Sequence, residues 1–217
     1  MGFADRRDAG RQLAASLAAR VVAPTLILAL PRGGVPVALE VARAFAVPLD
    51  VLGARKLGAP ANPERAVGAI AEGGVAVLDQ HAASRCGVTQ EGLDEMLRRE
   101  REELARQVAL YRAGRPAQDA TGAVAVIVDD GLATGLTALA AVRAARARGA
   151  ASVILAVPVG APQAVAMLSE EADEVVCHTV PRRLRAVGGF YGDFSPVSDE
   201  EVASCLREAA TELEVAR

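Results

Sequence analysis

Two adjacent acids followed by a run of small residues are the strongest chemical signal in the chain. Residues 126–137 read VIVDDGLATGLT. An apolar run ends there in Asp129 and Asp130, and Ala133, Thr134, Gly135, Leu136 and Thr137 follow before a helical pattern resumes. A helix amino terminus carries unsatisfied N–H groups and about half a positive charge, so a tight turn of small side chains lets a phosphate approach several donors at once. Two carboxylates in contact with a phosphate would repel it. They suit the vicinal hydroxyls of a ribose, since each accepts from an O–H. Two acids and then a small-residue cradle therefore fit a sugar monophosphate better than a bare phosphate. The same residues also suit an ordinary strand-to-helix turn capped by threonine.

A second loop of this kind lies earlier. PRGG at 31–34 stops a strand-like run, Gly33 and Gly34 permit unusual dihedrals, and Arg32 brings a cation. There is no GxxxxGK[ST], and no GxGxxG follows the first strand, so a P-loop nucleotide hydrolase and a dinucleotide enzyme both fit poorly. No GxSxG elbow exists, and His81 and His178 read as a surface loop and a strand end rather than catalytic bases. Cys86, Cys177 and Cys205 are odd in number and far apart, which points to reduced thiols rather than a disulfide framework or a zinc site. A formal charge of -3 with no long basic block argues against nucleic acid as a partner. The charged start, MGFADRRDAG, and the short, interrupted apolar runs predict a soluble, cytoplasmic protein with no membrane partner.

The elements that must position these loops follow from periodicity. The chain is 52% hydrophobic but only 3% aromatic, so Ala, Val and Leu must build the core. Helices are predicted over 5–19, 35–45, 89–112, from the glycine turn at 131–135 to about 149, over 162–169 and over 198–212. Strands are predicted over 25–30, 49–54, 123–128, 153–157 and 174–177, the second delivering Arg55 and Lys56 at its end. A mobile loop is expected over 57–65, an antiparallel pair over 67–70 and 75–78, and a loop-like tail over 180–196. On the 89–112 helix, Thr89 is the expected cap, and the Glu- and Arg-dense face reads as a solvated surface laced with ion pairs. The alternation predicts an α/β fold with a mostly parallel doubly wound sheet flanked by helices, in one domain over 1–217.

VIVDDGLATGLT resembles the signature of type I phosphoribosyltransferases, and its DDGLATG is especially similar to the adenine form. The resemblance implies 5-phosphoribosyl 1-pyrophosphate (PRPP) as donor, with Asp129 and Asp130 on the ribose hydroxyls and residues 133–137 on the 5-phosphate. PRGG then stands where the family has its pyrophosphate loop, whose N–H groups face the leaving group, sometimes through a cis peptide other than an X–Pro bond. Arg55 and Lys56, with the following LGAPANPERAVGAIAEGG, resemble the family's Arg-Lys pair and catalytic flexible loop. This makes Glu72 a catalytic candidate, although the aromatic usually beside it is Gly74 here. In the hypoxanthine-guanine branch an Asp occupies the place of Ala133, so that branch's proton chemistry does not carry over.

VGGFYGDF at 187–194 resembles the stretch that closes the purine pocket in that same branch, one residue longer. Phe190 and Tyr191 are therefore expected to form a base pocket with Asp193, unless these rings simply pack the last helix onto the sheet. The resemblance further implies a small hood made by the carboxyl- and amino-terminal segments, a homodimer, and magnesium held by Asp129, Asp130 and Asp193. Arg32, Arg55 and Lys56 would neutralise the departing pyrophosphate, and the acceptor would be a nitrogen of a nucleobase-like molecule. A PRPP-sensing regulatory protein that has lost transfer is the other reading.

Overall fold

The computed structural model describes residues 2–21 and 24–215, apart from the Glu64 side chain. Asp5 opens α1 (Arg6–Leu17) by accepting from the Asp8 N–H, and Ala9, Leu13, Ala14 and Leu17 form its buried stripe. β1 (Thr25–Ala29) is buried along its whole length, and α2 (Gly34–Phe45) returns the chain to the short β2 (Leu49–Val51). Beyond Gly53 the chain leaves that sheet for β3 (Ala54–Ala59), β4 (Asn62–Ala71) and β5 (Ala76–Leu78), which pair antiparallel as a second, smaller sheet. α3 (Gln80–Arg85) and α4 (Gln90–Arg112) follow, Thr89 capping α4 by accepting from the Gly92 N–H at 3.1 Å. The chain then runs through β6 (Val124–Val128), α5 (Leu136–Ala147), β7 (Ser152–Val159), α6 (Pro162–Leu168), β8 (Glu174–Thr179) and α7 (Asp199–Val215).

The main sheet has the order β2-β1-β6-β7-β8, and every neighbour pairs parallel. Strand alternation feeds two cores. Leu26, Leu28, Ala125 and Ile127 face Leu139, Val142 and Leu168 from α5 and α6, while Ile27, Ala29, Val126 and Val128 face Leu13, Val37, Val41 and Leu206 from α1, α2 and α7. This is the doubly wound α/β sheet that the alternation predicts. From β1 the chain winds one way to β2, and from β6 it winds the other way to β7 and β8. Their carboxyl ends meet where the order reverses, tied by the Leu30 N–H donating to Val128 O at 2.9 Å. Open α/β sheets bind ligands at such a crevice.

Three local expectations are corrected. Arg55 and Lys56 do not end the second strand of the main sheet; they lie inside β3, opposite Ile70 and Ala69. Residues 57–65 form the turn of the β3–β4 hairpin and the strand ends beside it rather than an irregular loop. A Cβ at Gly58 would sit 2.9 Å from Pro63 Cα and overlap Pro63 O, so the lack of a side chain there is what lets the two strands approach closely. His81 lies on α3, not in a loop. On α4, Arg98 pairs with Glu95 and Glu102, and Arg106 with Glu103, as expected of a solvated face.

Candidate functional site

The two loops at the switch point hold free donors. After β1 the Pro31–Arg32 peptide is cis, and the Gly34 N–H donates to Leu30 O at 3.0 Å. The N–H groups of Arg32 and Gly33 have no protein acceptor among the described residues. After β6, buried Leu132 pins the second loop, its N–H donating to Val159 O at 2.9 Å and its O accepting from the Ala161 N–H at 2.8 Å. From Ala133 through Thr134, Gly135, Leu136 and Thr137, no backbone N–H finds a protein acceptor among the described residues. Gly135, at φ 81°, takes the cap position of α5 without any side-chain cap bond, so the plain threonine-capped turn is not what forms.

The loops touch where Gly33 and Gly34 meet the acid pair. A Cβ on Gly33 would overlap the Asp130 carboxylate, and one on Gly34 would fall 2.6 Å from Val128 O and 2.9 Å from Asp129 Cα. Asp129 accepts the Asp130 N–H at 2.8 Å. Burial, and then the charge of Asp130, push the Asp129 carboxyl well above the usual carboxylate range. Burial also raises Asp130, against the opposing hydrogen bond and charge of Arg6. The Arg6 Nε–H donates to Asp130 Oδ2 at 2.9 Å.

The amino-terminal segment and the stretch over 187–193 cover this crevice. The Phe3 N–H donates to Phe190 O at 2.7 Å, the Gly192 N–H to Phe3 O at 2.8 Å and the Asp193 N–H to Ala4 O at 2.8 Å. The Tyr191 hydroxyl donates to Asp130 O at 2.6 Å, and Val187 packs so tightly on Gly131 that a Cβ there would sit 2.6 Å from it. The hood expected from the two ends is thus bolted onto the acid pair.

A family model described as the phosphoribosyl transferase domain matches residues 7–187. The chain belongs to that family. A Mycobacterium tuberculosis protein, provisionally named a phosphoribosyl transferase, is 49% identical over 207 residues, which is 95% of this chain and 47% of the relative. The chain therefore spans about half the length of the curated relatives it matches. A Thermus thermophilus protein of known crystal structure superposes with a TM-score of 0.80 at 44% identity, over 96% of this chain and 99% of that one. An Aquifex aeolicus structure shares the fold at TM-score 0.51 and 15% identity, over 84% and 78% of the two chains.

Other expected site residues of this phosphoribosyl transferase domain lie elsewhere or are already engaged. Arg32 leans to Asp199, 3.7 Å away. Arg55 donates to Glu100 at 2.8 Å and Gln107 at 3.1 Å on α4, and Lys56 is exposed on the same strand; their cleft of about 520 Å³ shares no residue with either loop. Glu72 accepts from the Gly53 N–H at 2.8 Å and from both Arg112 NH groups at 2.7 and 3.1 Å, and Arg112 also meets Asp50 and Val51 O. These bonds engage both of its carboxylate oxygens. A larger cleft, about 660 Å³, runs beside Glu72 along α4 and also misses both loops.

Tyr191 is only 8% exposed and packs with Phe3 and Phe194 at ring distances of 5.3 and 4.9 Å, so it clasps the hood rather than offering a stacking face. Phe190 is half-buried in the same cluster. Asp193 Oδ1 accepts from the Ser195 hydroxyl at 2.6 Å and the Ser195 N–H at 2.9 Å, and these bonds lower the carboxyl. Among the described residues no three metal-binding side chains converge. Arg6 is the residue that sequence reasoning missed. Its only local hint is that Arg6 and Arg7 open α1, where the helix dipole disfavours cations.

Proposed function

We propose that this domain binds PRPP across the switch point and transfers its phosphoribosyl group to a nitrogen of a nucleobase-like acceptor, releasing pyrophosphate. One observation carries the reading. An acid pair suited to a ribose diol stands between two sets of unsatisfied backbone N–H groups, five on residues 133–137 and two on Arg32 and Gly33. That spacing suits a 5-phosphate at one end of a sugar and a pyrophosphate at the other.

In transfer, the C1–O bond to pyrophosphate breaks and a C1–N bond forms, through an oxocarbenium-like ribose. The chain contributes positioning and electrostatics. The 133–137 cradle fixes the 5-phosphate, Asp129 and Asp130 orient the hydroxyls, and the Arg32 and Gly33 N–H groups meet the leaving group. Arg55 and Lys56 reach the pyrophosphate only when the β3–β4 hairpin leaves α4, a closure that would also exclude water. Two carboxylates without a third ligand suit magnesium, which takes most of its oxygens from water and phosphate; bound with the donor at Asp129 and Asp130, it would offset pyrophosphate charge. We take residues 1–217 to work as one cytoplasmic unit, as a homodimer, on small molecules rather than on nucleic acid.

The engaged Glu72 and the buried Tyr191 favour a second reading, a PRPP sensor without turnover. Incubation with PRPP, magnesium and a panel of nucleobases separates the two. Pyrophosphate release that depends on one base supports transfer, binding without release supports the sensor, and no binding contradicts both.

A further inference from the structure

Arg6 and Arg7 share an unfavourable place in the first turn of α1, but their side chains part. Arg7 joins Glu40 and Glu208 in a partly exposed network. Arg6 turns inward and is 11% exposed. Its Nε–H meets Asp130 Oδ2 at 2.9 Å, another N–H donates to Ser195 O at 2.8 Å, and its guanidinium lies 3.9 Å over the Phe194 ring. A planar fork stacked on a ring is held in one orientation, which a lysine ammonium cannot reproduce.

Asp130 is fixed in return from its other sides. Its carboxylate fills the space that Gly33 leaves by lacking a Cβ, and its carbonyl accepts from Tyr191. Asp129 differs: the Asp130 N–H is its one hydrogen-bond donor among the described residues. The two acids of the motif are therefore unequal, one clamped by the hood and one open to a ligand.

We propose that Arg6 is a positioning residue of the donor site, clamping the Asp130 carboxylate at the angle from which it accepts a ribose hydroxyl while Asp129 stays open. This rests on the PRPP reading above. It makes donor binding depend on correct docking of the amino-terminal helix, because Arg6 arrives with the segment that pairs Phe3 and Ala4 to the tail.

The test is a double-mutant cycle read by calorimetry with PRPP and magnesium, with a thermal melt of each protein. Arg6→Gln should weaken binding roughly tenfold or more, Asp130→Asn likewise, and the double variant no further than Asp130→Asn alone. Arg6→Lys, which keeps the charge and spares folding, should still lose several-fold, since it loses the stacked fork. Additive losses in the cycle, or wild-type affinity in both Arg6 variants, would overturn the assignment. A merely structural role would lower the melting temperature yet remain additive. A wild-type protein that does not bind PRPP removes the donor reading, and the role of Arg6 with it.

Discussion

Asp129 pays for its place in the crevice with stability. Burial and the neighbouring Asp130 hold its carboxyl well above the ordinary range, so the folded protein binds that proton more tightly than the unfolded chain. The resulting cost is absent below the unfolded value of about 3.9, grows as pH rises through the raised folded value, and is complete above it. Asp129→Asn should therefore melt higher than wild type at neutral pH, by roughly 2–4 °C for a gain on the order of 1 kcal/mol, with the gain vanishing at acid pH. Donor affinity should fall at least about tenfold in the same variant. Melts across pH check the first effect; a variant less stable than wild type at neutral pH would contradict the burden placed on Asp129. Gly33→Ala is the steric counterpart. Its Cβ must displace the Asp130 carboxylate, so PRPP affinity should drop, whereas Gly189→Ala, with nothing within 4 Å of its Cβ, should bind as wild type.

The elements explain why some predicted site residues are engaged elsewhere. Arg112 at the end of α4 ties Asp50 and Glu72 to the start of the second sheet, and both Arg112 and Asp50 are largely buried. Arg112→Ala leaves those carboxylates uncompensated and should cost about 3–5 kcal/mol in denaturant unfolding. Glu72→Gln should lower stability but leave PRPP affinity unchanged; a large loss of affinity would place Glu72 in the site. The main-sheet strands, Thr89 as a cap and the small-residue turn before α5 were legible because strand alternation, helix periodicity and loop composition are each written over short stretches. The β3–β4 hairpin was not, since Gly58, Pro60 and Pro63 signal a breaker locally and only the pairing of Arg55 with Ile70 makes them a strand crossing. Nor was Arg6, whose partner Asp130 lies 124 residues away along the chain.

At the scale of the molecule, the parallel sheet brings two loops 98 residues apart, judged by Arg32 and Asp130, into contact, and the amino-terminal segment and the stretch over 187–193 close over them. Removing one bolt of that cover, as in Tyr191→Phe, should cost about 1 kcal/mol in unfolding free energy. Ligand linkage should act in the opposite direction, PRPP at a hundred times its dissociation constant stabilising the fold by roughly 2.7 kcal/mol. The crevice between the PRGG loop and the acid pair is the proposed PRPP site. Calorimetric titration with PRPP and magnesium tests it most directly. Wild type should bind saturably at one site per chain, and Asp129→Asn and Asp130→Asn should each weaken binding at least about tenfold. No binding by the wild type, or equal affinity in both acid variants, would contradict it.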